Sequence, residues 1–283
     1  MLCSVAPRKR WGQHFLHNRS IARRIVQLLD VQPGATVLEI GPGTGVLTEY
    51  LVSLPIRLIA VEIDKRCLEL LQKRFPTSSF PHVEFIHADI LRVNITTLAQ
   101  QVLQQTGKKL LLIGNLPYNI SSALLFRLFH IARLLSKAVF MLQRELAQRL
   151  VAQPGSRDYG ILRLACWAVA QAQLHFHVAP SAFSPPPAVV SSVVTLSFLP
   201  HAWTGELYEG FLKLLHAVFQ HRRKQLHNSL RYYIAHYHPS LQDTEELLRQ
   251  AGIAPDRRAE ELSPEEFVAL YRLLSPQCLH AHP

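Results

Sequence analysis

Asn115, Leu116, Pro117 and Tyr118 lie just past an apolar run, Lys109 to Ile113, and bring together an amide oxygen, closely spaced main-chain carbonyls and an aromatic face. Such a set suits a planar base that carries an amino group. An exocyclic adenine nitrogen is a poor nucleophile, because its lone pair is delocalised into the ring. The Asn115 amide oxygen and a main-chain carbonyl near Leu116 or Pro117 can accept its two hydrogens and draw the nitrogen towards tetrahedral geometry without a strong base. Proline fixes φ and removes a donor, which helps to hold a carbonyl in place. The Tyr118 ring offers a surface on which a base can stack.

The elements that must position this group precede it in the chain. Val37-Leu38-Glu39-Ile40 is a short apolar strand that runs into Gly41-Pro42-Gly43-Thr44-Gly45-Val46. Glycines let the backbone turn sharply and approach a ligand without intervening Cβ atoms. The spacing departs from the dinucleotide fingerprint G-x-G-x-x-G, because Val46 stands where its third glycine belongs. A second buried strand, Arg57 to Ile63, carries Glu62 about twenty residues past the loop, where a carboxylate can accept two ribose hydroxyls. A third strand closes on Asp89, which can accept from an adenine amino group. Glycine and acidic features at the carboxyl ends of three successive strands predict an adenosine-containing cofactor along that edge of a parallel sheet.

Four further segments extend the pattern: Gly12-Gln13-His14-Phe15-Leu16, Phe183-Ser184-Pro185-Pro186-Pro187, Val190-Ser191-Ser192 and Phe219-Gln220-His221-Arg222-Arg223-Lys224. With them the chain resembles the ribosomal RNA adenine N6-dimethyltransferases of the small-subunit, bacterial KsgA type. The resemblance implies a Rossmann-like class I methyltransferase fold: an α/β sheet, mostly parallel with one antiparallel edge strand, and a small all-helical C-terminal domain. It implies S-adenosylmethionine as cofactor, held by His14, Leu16, Gly41, Gly43, Glu62, Ile63, Asp89, Ile90 and Asn115. It also implies a catalytic group of Asn115, Leu116, Pro117, Tyr118 and Phe183, in which Tyr118 and Phe183 clamp the flipped target base. The expected reaction gives N6,N6-dimethyladenosine at two adjacent adenosines in the 3′-terminal hairpin of small-subunit ribosomal RNA. One position departs from the family pattern, which usually has asparagine where this chain has His14.

Charge agrees with a nucleic-acid substrate. The formal net charge is +10, and it is unevenly placed: residues 1–200 carry +11 and residues 201–283 carry −1. Phosphate attraction is therefore expected to be strongest on the first part. Within the second, Lys213, Arg222, Arg223, Lys224 and Arg231 follow one another with no acid between them. Arg222, Arg223 and Lys224, together with the amino-terminal Arg8, Lys9 and Arg10 beside Trp11, are the candidate RNA-binding residues.

Alternation of strands and helices from Ala35 to about Gln153 predicts a doubly wound sheet, with strands near 36–41, 57–63, 83–88, 109–114, 138–142, 173–178 and 191–198. The last two are expected to pair antiparallel at one edge. A helix over 20–30, with Ser20 as its cap, precedes the sheet. Leu199-Pro200-His201 is the expected boundary between a methyltransferase domain, 1–200, and a helical RNA-binding domain, 201–283. The second is expected to have helices near 206–219, 222–236, 243–251 and 264–274.

The start of the chain lacks a long apolar stretch, and Arg163 interrupts the apolar run from Ile161 to Ala172, so a soluble, cytoplasmic protein without membrane partners is expected; a monomer is the expected state, although no feature of the sequence decides it. Cys3, Cys67, Cys166 and Cys278 are scattered without C-x-x-C spacing, which predicts reduced thiols. None of the fifteen histidines falls in a recognised ligand spacing, so no metal is expected. Two other readings stay open: a related large-subunit methyltransferase that confers macrolide resistance, and a non-catalytic RNA- or DNA-binding assembly or transcription factor on the same fold. Leu116 and Arg222-Arg223-Lys224 lean towards the small-subunit enzyme.

Overall fold

The computed structural model describes residues 5–8, 11–220, 224–239, 241 and 243–275. The chain divides into two compact units, one made of 1–147 with 171–198 and the other of 148–170 with 199–283. Residues 148–170, which a contiguous division at 200 puts in the first part, cluster with the helical part.

The first unit opens with a two-residue strand, β1 (Phe15–Leu16), and helix α1 (Arg19–Leu29). The cap of α1 is Asn18, whose side chain accepts from the Ile21 amide, and not Ser20, whose hydroxyl instead donates to the Asn18 side chain. Then follow β2 (Thr36–Ile40), α2 (Thr48–Leu51), β3 (Arg57–Glu62), α3 (Lys65–Arg74), β4 (Val83–His87), α4 (Ile95–Thr106), β5 (Leu110–Asn115), α5 (Tyr118–His130) and β6 (Leu135–Gln143). After α6 (Arg144–Leu150) and α7 (Ile161–Trp167) the chain continues through β7 (Ala170–Val178), β8 (Phe183–Ser184) and β9 (Ser191–Phe198).

Seven strands form one sheet in the order β4-β3-β2-β5-β6-β9-β7, and β1 pairs separately with β8. β2, β3, β4, β5 and β6 run parallel, and β9 runs antiparallel to β6. The last two strands, β7 and β9, are neighbours at one edge of the sheet as expected, with β7 outermost and the antiparallel β9 one place in, between β6 and β7. Burial explains the arrangement: Ser191–Phe198 is buried at almost every position, as a strand covered on both sides must be, whereas Ala170–Val178 is largely half-exposed.

The order of strands reverses between β2 and β5, and a crevice opens there beyond their carboxyl ends. Close approach at this point depends on Gly114, since a Cβ on it would lie 2.6 Å from the Ile40 carbonyl oxygen of the neighbouring strand. Beneath the crevice, Val37, Leu58, Ile113 and Val139 pack with Ile25 and Leu29 of α1 in a continuous apolar core.

The second unit holds α8 (Gly205–Phe219), α9 (Leu226–Tyr237), α10 (Thr244–Gln250) and α11 (Pro264–Leu274), and buried Trp203 meets Phe211 of α8 edge-on at 5.1 Å and Tyr271 of α11 at 5.7 Å. The 148–170 segment is bound into this core: the Tyr159 hydroxyl donates to the Leu262 carbonyl, and the Tyr208 hydroxyl to that of Ala165. Ser263 caps α11 in a reciprocal box with Glu266.

Candidate active site

A cavity of about 320 Å³ lies at the carboxyl ends of β2, β3, β4 and β5, and belongs wholly to the first unit. Gly41, Gly43, Glu62, Ile63, Asp89, Ile90, Asn115, Leu116, Pro117, Tyr118 and His14 all line it. The sheet thus brings to one crevice most of the residues singled out in the sequence.

The glycine loop supplies bare backbone. Gly41 has φ +65, and a Cβ built on it meets no atom within 4 Å, so an added side chain would occupy ligand space. Glu62, only 4 % exposed, ends β3 opposite this loop. Its Oε2 accepts from the Gly43 amide at 2.9 Å and its Oε1 from the Asp64 amide at 2.8 Å. Each oxygen keeps a second lone pair for a ligand hydroxyl. Burial pushes the Glu62 carboxyl above its ordinary range, and the two amides oppose that push. Asp89 accepts from the Leu91 amide at 2.9 Å and stands at the same rim.

Gln13, which the sequence reading did not assign, ties this acidic end to the amino-terminal segment. Its Nε2 donates to Asp64 Oδ2 at 3.1 Å, and its Oε1 accepts from the Arg8 amide at 2.8 Å. Burial would raise the Asp64 carboxyl, but bonds from Arg66 and Gln13 hold it below the usual range. Gln13 lies within a matched segment, yet only the fold shows that a residue 51 positions earlier meets Asp64.

At the end of β5 the Asn115 Nδ2 donates to the main-chain oxygen of His14 at 3.0 Å. A carbonyl can only accept, so the amide nitrogen must face His14 and Oδ1 is turned away from it. The Pro117 carbonyl is taken by the Ser121 hydroxyl at 2.8 Å and the Ile120 amide at 3.2 Å. That leaves the Leu116 carbonyl, whose side chain is buried, as the main-chain acceptor without a partner among the described residues. The two positions left open by the sequence are thereby separated.

Tyr118 begins α5, and its hydroxyl shares a 2.8 Å hydrogen bond with Ser191 Oγ on β9. Burial raises its pKa, so the phenol stays neutral. The His14 ring stacks beside Tyr118 at 5.9 Å and 27°. Its Nδ1 lies 2.8 Å from the Pro185 oxygen and, with a carbonyl as partner, must be the protonated nitrogen.

Two expected site residues lie elsewhere. Phe183 is 3 % exposed, packs in the apolar core and is not among the residues that line the cavity. Its pairing with Leu16 across β1 and β8 turns both side chains inward, and Leu16 is likewise a core residue absent from the cavity wall. Of the candidate RNA-binding residues, Arg8 is exposed with its guanidinium 5.1 Å from the Trp11 ring, and Lys224 is exposed. Lys9, Arg10, Arg222 and Arg223 lie outside the described residues. Among the described residues no group of three or more His, Cys, Asp or Glu could hold a metal, and no helix is long and apolar enough to cross a membrane.

A family model described as ribosomal RNA adenine dimethylase matches residues 5–275. The chain belongs to the ribosomal RNA adenine dimethylase family. It is 40 % identical over 269 residues to a ribosomal RNA small subunit methyltransferase A of Acidobacterium capsulatum, which covers 93 % of this chain and 89 % of the relative. A dimethyladenosine transferase from Plasmodium falciparum superimposes with a TM-score of 0.79 at 25 % identity, over 91 % of this chain and 96 % of that one. The 23S rRNA methyltransferase ErmE shares the fold, with a TM-score of 0.68 at 24 % identity over 92 % of this chain and 99 % of that one. As a member of this family the dimethylase is an S-adenosylmethionine-dependent methyltransferase acting on ribosomal RNA. Its crevice fits that cofactor: bare glycine backbone, a fixed acid at the end of β3 and a second acid at the end of β4.

Proposed function

We propose that this dimethylase modifies N6 of two adjacent adenosines in the 3′-terminal hairpin of small-subunit ribosomal RNA, giving N6,N6-dimethyladenosine during ribosome biogenesis. The orientation of Asn115 carries the reading: with its nitrogen committed to the His14 carbonyl, its oxygen is an acceptor for an amino group. Glu62 and Asp89 would hold the ribose and adenine of the cofactor, and Gly41 and Gly43 would lie against it. When bound, S-adenosylmethionine supplies an electrophilic methyl group on a sulfonium.

The chain's own residues do the rest. The target adenine leaves its stack and lies on the Tyr118 ring, a face held by the bond to Ser191 and extended by His14. Asn115 Oδ1 and the Leu116 carbonyl accept the two N6 hydrogens. That withdraws the lone pair from the ring and aims it along the crevice, which is electrostatic preorganisation in place of a general base. None of Asn115, Leu116, Pro117 and Tyr118 carries a base, and the proton departs to solvent after transfer. The relatives' small-subunit names and the identity to them favour the small-subunit target over the large-subunit one.

Small- and large-subunit particles lacking these modifications, incubated separately with the protein and methyl-labelled cofactor, test the target. Label is expected in small-subunit RNA. Label confined to large-subunit RNA would contradict the proposal.

A further inference from the structure

The helical unit has a cleft of its own, of about 280 Å³, between α8 and α9. Tyr232, Tyr233, His236 and Tyr237 line it together with Ser229. These rings form a connected group: Tyr233 and Tyr237 are 4.9 Å apart, and His236 meets Tyr237 edge-on at 4.5 Å. Large aromatics are normally covered, yet Tyr232 is 69 % exposed and Tyr237 46 %. The Lys213 ammonium stands 5.6 Å from the Tyr237 ring.

A second, independent feature points to a ligand. The Ser229 side chain is buried, at 2 % exposure, and its hydroxyl finds no hydrogen-bond partner among the described residues. Buried polar atoms are rarely left so, and one that lines a cleft is satisfied by whatever occupies the cleft. The stretch of sequence that supplies this cleft is basic. From Gly210 to Gln242 the sequence holds five lysines and arginines and no acid. Aromatic faces, a hydroxyl and cations without acids are what an unpaired base on its phosphate chain requires.

We propose that this cleft is a subsite for one unstacked nucleobase of the RNA substrate, stacked on Tyr232 and hydrogen-bonded to Ser229. The proposal rests on the chain acting on ribosomal RNA. It adds a base contact in the helical unit to the charge contacts expected there.

The test uses the full chain and a fluorescent octauridylate, which contains no adenine and so is not a substrate for the Asn115 pocket. Anisotropy titrations over a range of salt compare the parent with Tyr232→Ala, Tyr232→Leu and Tyr232→Phe. The alanine and leucine variants should bind about tenfold more weakly, the loss of one stacked base, with the slope of log K against log salt unchanged. The phenylalanine variant should bind as the parent does. All should keep the parent's affinity for S-adenosylmethionine and its melting temperature, since Tyr232 is mostly in solvent. Parent-like binding by the alanine variant, equal loss with phenylalanine, or a shallower salt slope in the tyrosine variants would each overturn the proposal. Methylation of small-subunit particles by the parent is read in parallel. Its absence would sink the proposed function, whereas octauridylate binding decides the cleft alone.

Discussion

Tyr118 and Phe183 make the sharpest contrast among single residues. Tyr118 stands in the cavity wall, so Tyr118→Ala should slow methyl transfer far more than it weakens cofactor binding. Phe183 is a core side chain, so Phe183→Ala should cost about 3–5 kcal/mol and lower activity and cofactor binding together, which thermal melts and isothermal titration distinguish. A second contrast concerns Glu39, 1 % exposed in β2, which accepts from the Thr48 hydroxyl at 2.8 Å while its other oxygen has no partner among the described residues. Burial foremost, with the nearby Glu62 charge adding to it against the Thr48 bond, pushes its carboxyl up from 4.5 to about 8, so the folded protein holds it neutral at pH 7. Between about 4.5 and 8 the folded state binds a proton that the unfolded state has released, so stability falls as pH rises through this window. Glu39→Gln should remove that part of the fall, read as melting temperature against pH for variant and parent. Asn115 was legible from its neighbours, because an amide before a proline and an aromatic is a chemically complete set. The burial of Phe183 was not legible, because it depends on its pairing with Leu16 across β8 and β1, a contact 167 residues apart that no local pattern reveals.

Among the elements, the crevice exists because β2 and β5 lie side by side and send their chains in opposite directions. Gly114→Ala should force those strands apart against the Ile40 carbonyl, which cannot rotate away as a side chain can. A cost on the order of 1–3 kcal/mol and weakened cofactor binding are expected, measured by urea denaturation and titration. The parallel strands were readable because strands covered on both faces are nearly continuous apolar runs, as Thr36–Ile40 and Leu110–Asn115 are. The pairing of the last two strands at one edge was readable as well; that β7 and not β9 is outermost was not, since the order of strands after a long connection is a tertiary choice. The cap of α1 was misplaced by two residues, because Asn18 and Ser20 are both good caps and only the Ile21 amide decides between them.

At the level of the whole chain, the helical unit is discontinuous. Tyr159 and Ala165, in the 148–170 segment, are bonded to residues past 199, a pairing hidden from any reading that looks for one boundary in the linear sequence. Residues 201–283 expressed alone should therefore lack a cooperative unfolding transition, and circular dichroism against urea will show whether they do. The net charge of +10 and the RNA it attracts belong to the same level, and so does the reaction. The most direct test digests the RNA of small-subunit particles, after incubation with S-adenosylmethionine and either the parent or a folded Asn115→Ala protein, and quantifies modified adenosine by mass spectrometry. The parent should yield N6,N6-dimethyladenosine at neighbouring positions, and the variant should be slower by about 10²–10³-fold. Dimethyladenosine formed by the variant at the parent's rate would contradict the role of Asn115 and the mechanism built on it.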